Sequence, residues 1–138
     1  MGHALEKIYY LLKPNGRLID MHPNGEPPPI TVQLGKESHL VGWVREGASY
    51  EKYDLADQAL DTAVSHNLYQ TRAQETFNFT TYADSLADLQ TYLATEWTDA
   101  YIEDLVAMQI EAIMQSSIAD KKITVREIVK IVYLKPIF

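Results

Sequence analysis

Apolar positions in the first twelve residues fall at helical spacing. Ala4, Leu5, Ile8, Leu11 and Leu12 gather into one stripe and leave Glu6, Lys7 and Lys13 to water, which predicts an amphipathic helix. Pro14 ends it, because proline has no N–H to donate and pushes Lys13 out of the α region. The turn Lys13, Pro14, Asn15, Gly16 follows, closing on the two residue types that most readily accept a positive φ. Arg17 to Met21, RLIDM, is then a short and mostly apolar run, as expected of a strand covered on both faces by helices.

Further along the period changes from helical to alternating. After a stiff loop from His22 to Pro29 with three successive prolines, Ile30, Val32 and Leu34 alternate with polar neighbours, and Leu40 to Glu46 returns. Gly35 to Ser38 make the turn of that hairpin, and Gly42 beside Trp43 marks a bend or a close neighbour. A helix capped by Asp54 runs to about His66, with Leu55, Ala59 and Ala63 inward and Asp57 and Asp61 outward. Asn67 suits the left-handed position past its end. Thr76 to Tyr82, TFNFTTY, reads as a strand by its aromatic and β-branched content. Ser85, with Asp88 three residues on, caps a helix carrying Leu86, Leu89, Leu93 and Trp97. Thr98 recaps a second helix with Ile102, Leu105, Val106, Ile110 and Ile113, and Lys121 to Leu134 closes the chain as a long strand.

Length and composition narrow the class. A chain of 138 residues suits one domain with a real core, residues 1–138. At 46% hydrophobic and 22% charged it reads as a globular protein. No apolar run approaches the roughly 18 residues that span a bilayer, so no membrane association and a cytoplasmic location are the expectations. The absence of cysteine excludes disulfides, thiolate metal sites and a cysteine nucleophile. Net charge is −7, concentrated in residues 47–120, where thirteen acidic groups face two basic ones. An acidic middle argues against nucleic acid as a partner. The basic residues after position 120 alternate with Ile123, Val125, Ile128 and Val129 and read as the wet face and ends of a strand.

Leu11, Leu12, Lys13, Pro14, Asn15 and Gly16, followed by an apolar strand, resemble the segment of class I S-adenosylmethionine-dependent methyltransferases that leads into the fifth strand. Asparagine stands where that family more often has glycine. The resemblance extends over nearly all 138 residues, with FNFTTYADSLADLQTYLATEW similar to the family's sixth strand and following helix. It implies an α/β fold, α+β-like as a fragment: a partial Rossmann-like sheet with residues 1–23 as a helix-turn-strand unit, 30–46 as a hairpin insertion and 54–138 as the remainder. The closing strand would run antiparallel between Arg17–Met21 and Thr76–Tyr82. The glycine-rich turn that holds S-adenosylmethionine in that family has no counterpart here, since the six glycines are scattered singly. The chain therefore looks like a C-terminal half, with S-adenosylmethionine the cofactor of a full-length relative and none bound by this half alone.

Candidate chemistry is sparse. His3, His22, His39 and His66 lack metal-ligand spacing, and Glu96, Asp99, Glu103 and Asp104 read as a solvated helix face. The better cluster is Asp20, Met21 and His22 at the C-terminal end of a strand, where ligands bind in open α/β sheets, with Glu26 and Trp43 able to reach the same rim. These five residues are either the substrate-side wall of a methyl-acceptor pocket, with His22 as base or orienting group, or a loop start in which His22 caps backbone and Trp43 packs in the hairpin. Three functions follow: a methyltransferase-like domain, not catalytic alone, that self-associates; the substrate-side portion of an active small-molecule methyltransferase; or an unrelated α+β ligand-binding or interaction domain. A half-sheet leaves the edge of Arg17 to Met21 unpaired, so a homodimer or swapped oligomer through that edge is expected.

Overall fold

The structure, a computed structural model, describes residues 2–47 and 51–138. In chain order the elements are α1 (Gly2–Leu11), β1 (Leu18–Pro23), β2 (Pro29–Leu34), β3 (Glu37–Trp43), β4 (Arg45–Glu46), α2 (Glu51–Ser65), β5 (Tyr69–Ala83), α3 (Leu86–Glu96), β6 (Ala100–Tyr101), α4 (Asp104–Met114) and β7 (Lys121–Pro136). Helices are mixed with strands, and β1–β7, β2–β3, β2–β7 and β4–β6 are all antiparallel, which makes this an α+β protein. The closing strand β7 pairs with β1 and β5, the neighbours expected for it, but also with β2, which stands next to it in the strand order where the hairpin was expected as an insertion. The chain divides into two compact units, Met1–Glu26 with Tyr50–Phe77 and Ile128–Phe138, and Pro27–Ser49 with Asn78–Glu127.

In the first unit, α1 packs on α2 and α2 on β1. Leu5 and Tyr9 of α1 and Leu12 just past its end, at i, i+4 and i+7, form its inward stripe. Leu11 was expected in that stripe but is 82% exposed, because it sits one residue, about 100°, around the helix from Leu12. The turn after α1 closes as expected, with Gly16 N–H donating to the Lys13 carbonyl at 2.8 Å. Neither Asn15 nor Gly16 takes a positive φ, since a turn with right-handed central residues makes the same hydrogen bond. Glycine is still required at 16: a Cβ there would lie 2.9 Å from the Lys13 carbonyl oxygen.

Asp54, the expected cap of α2, lies inside the helix, which already includes Glu51. The other end matches the sequence. Asn67 has φ 60°, Asn67 N–H donates to the Val64 carbonyl at 3.0 Å, and Leu68 N–H donates to the Ala63 carbonyl at 3.1 Å. That pair of bonds satisfies two carbonyls the helix end would otherwise leave open. Leu5, Leu60, Ala63, Tyr69, Val132 and Leu134 are the core, and the Tyr69 hydroxyl donates to the Leu5 carbonyl at 2.8 Å.

The second unit is built on the β2–β3 hairpin, whose turn is tighter than expected: Leu34 pairs with Glu37, leaving Gly35 and Lys36 as the loop, with Gly35 at φ +59°. On its other side β2 pairs with the start of β7, from Ile30 against Val125 to Leu34 against Lys121. The close neighbour expected at Gly42 is Val106 of α4, whose Cγ2 would lie 2.6 Å from a Cβ at position 42. Ser85 caps α3 as expected, accepting from Asp88 N–H at 3.1 Å. Thr98 does not cap α4. Ala100 and Tyr101 instead pair with Glu46 and Arg45, so the helix starts only at Asp104. Starting there, it buries Ile110 and packs Val106 and Ile113, while Leu105, expected inward, is 75% exposed.

Candidate functional site

Strand alternation puts Leu18, Asp20 and His22 on one face of β1 and Ile19 and Met21 on the other. In the β1–β7 ladder, His22 stands opposite Lys130 and Asp20 opposite Val132. Helix α2 lies over this face, burying Ala56, Leu60 and Ala63, and Asp57 borders that buried stripe. Four ionisable side chains of the first unit thus converge. The His22 ring, 9% exposed, has Nδ1 against Asp20 Oδ1 and Nε2 2.9 Å from Asp57 Oδ1. Lys130 Nζ donates to the same Asp57 oxygen at 2.9 Å.

The chemistry of the cluster follows from its hydrogen bonds. Ionised carboxylates only accept, so a ring nitrogen that carries a hydrogen donates to the carboxylate oxygen beside it. Two carboxylates thus face the His22 ring and the Lys130 ammonium. Burial pushes the Asp57 carboxyl up, but the hydrogen bonds and charges of Lys130 and His22 outweigh it and hold the group below its ordinary value of 3.8. Both ring nitrogens of His22 are engaged by carboxylates of the protein itself, so neither is turned toward a substrate. The hollow beside it, lined by Asp57, Leu60, Lys130 and Val132 among others, holds about 40 Å³. Small-molecule sites run to about 300–1,000 Å³, so this one takes water and no substrate. The cluster ties α2 to the ladder beneath it.

Of the five residues singled out in the sequence, the structure brings Asp20 and His22 together. Met21 lies on the opposite face of β1, 58% exposed. Glu26 is exposed, its backbone N–H donating to Asn24 Oδ1 at 3.1 Å. Trp43 ends β3 in the second unit, 43% exposed and paired with Pro29. Asp57 and Lys130 were missed. Lys130 did carry a signal, being the one charge in the apolar run Ile128 to Leu134, where a covered lysine demands an acid.

Among the described residues no group of three or more His, Asp or Glu is arranged to hold a metal ion, and no helix is long and apolar enough to cross a membrane. The elements and their pairing define an α+β protein with a charge cluster under one helix. No protein-family model, curated protein or solved structure matches the chain.

Proposed function

We propose that the chain is a methyltransferase-like C-terminal half whose work is association, with the open edge of β1 pairing with the same edge of a second copy. The observation that carries this reading is the position of β1. It ends the strand order and, among the described residues, pairs with β7 alone, while Ile19 and Met21 on its uncovered face are 55% and 58% exposed. An unpaired strand edge flanked by large apolar side chains is a template for another strand. A two-fold axis at Asp20 would set Ile19 opposite Met21 of the second copy, a favourable cross-strand pair. Helix, Lys-Pro-Asn-Gly turn, strand, and a closing strand antiparallel to it are also the order the resemblance implies.

Light scattering and sedimentation at micromolar concentration test this directly. A dimer is expected for the natural chain and a monomer for Ile19→Lys; a monomeric natural chain would sink the reading. The second function, the substrate-side portion of an active methyltransferase, is favoured by the same element order. Titration calorimetry with S-adenosylmethionine separates the two, because the chain carries no glycine-rich turn and no binding heat is expected. Micromolar binding would transfer the argument to the enzyme.

A further inference from the structure

The second unit divides its chemistry between the two faces of its ladder. Ile30, Val32, Ile123 and Val125 are buried on one face. Alternation turns Thr31, Gln33, Thr124 and Arg126 to the other, where with Thr80 and Tyr82 of β5 they line a hollow of about 330 Å³. Thr31 and Thr124 are directly paired across β2 and β7, as are Gln33 and Lys122, and Lys122 Nζ sits 5.8 Å over the Tyr82 ring.

Three properties of this hollow select a ligand. It is cationic: Arg126 lines it and Lys122 stands at its rim, and neither makes an ion pair among the described residues. No carboxylate lines it, although the unit holds eleven acidic residues to five basic ones. The remainder of the lining is hydroxyl and amide, groups that both donate and accept, as the hydroxyls of a sugar require. A guanidinium offers a fork matched to phosphate oxygens, and a tyrosine ring offers a flat face. The volume lies at the small end of the range of about 300–1,000 Å³ for ligand sites, which excludes a large cofactor.

We propose that this hollow binds a sugar phosphate, with Arg126 and Lys122 on the phosphate and Thr31, Gln33, Thr80 and Thr124 on the sugar hydroxyls. The cations of the closing strand are then ligand groups instead of a wet face. This assignment is independent of what the edge of β1 does.

The test is a titration of the full, isotope-labelled chain with glucose 6-phosphate, followed by amide chemical shifts. Saturable shifts are expected at residues 31, 33, 80, 124 and 126, with weaker binding of inorganic phosphate and of glucose. Arg126→Gln, an exposed position whose loss leaves the rest of the spectrum in place, is expected to weaken binding by about tenfold or more. Thr80→Val is a second variant and is expected to weaken glucose 6-phosphate but not phosphate. Shifts that fail to saturate, map elsewhere or survive Arg126→Gln would overturn the site, and phosphate binding as tightly as glucose 6-phosphate would overturn the sugar assignment.

Discussion

Lys130 and Arg126 are four residues apart on β7, and their surroundings differ in kind. Lys130 lies under α2 beside His22, with its ammonium on Asp57, whereas Arg126 stands on an open face lined by hydroxyls and, among the described residues, makes no ion pair. A charge covered by a helix is tolerated when its counter-ion is brought with it, because an unmatched buried charge costs several kcal/mol. A charge on an open face carries no such requirement and stays free for a ligand. The cation that looks unsatisfied is therefore the functional candidate, and the one in the tidy network is structural.

That contrast can be broken at several depths. The deepest test removes core atoms from each half of the strand: Leu134→Ala and Ile123→Ala, both essentially fully buried, are each expected to cost about 2–5 kcal/mol in urea denaturation. A loss under about 1 kcal/mol at either would mean that half of β7 is not packed as described. Next, Lys130→Met strips Asp57 of one donor and is expected to cost about 1–3 kcal/mol, while Arg126→Met stays within about 0.5 kcal/mol. Equal costs would erase the distinction. The smallest effect is in acid. Asp57 ionises below its ordinary value when folded, so it contributes stability present above 3.8 and lost as pH falls through the folded value. Asp57→Asn should flatten part of the acid limb of a circular-dichroism titration, and an unchanged limb would mean the cluster does not hold the fold.

Residues that signal through the backbone were the legible part. Pro14, Asn67 and Ser85 each fix a local conformation with few alternatives, and the ends of α1, α2 and α3 fell where they pointed. Gly42 announced a close approach, though not that Val106 makes it. Illegible were the features set by contact between distant segments. Thr98 looked like a cap until β4 recruited Ala100 and Tyr101, and Arg45 Nε, by donating to Glu103 at 2.7 Å, occupies a carboxylate at the start of α4. In β7 the buried apolar positions pass from odd numbers, Ile123 and Val125, to even ones, Val132 and Leu134, so a single alternating pattern read along it misassigns one half. Half of the charge cluster was visible, Asp20 and His22 being neighbours on one strand. Asp57 and Lys130 come from 35 residues and more away in the chain, and nothing local links them to a histidine.

Among the described tyrosines Tyr69 alone is buried. Burial, with help from Tyr9, pushes its phenol above the ordinary value of 10. In alkaline solution its ring would stay dark in the phenolate band past the ordinary value for a phenol for as long as the core around it is closed. A label-free absorbance trace thus gauges whether the packing around Leu5, Leu60 and Leu134 is intact, in any variant and without a spectroscopic tag.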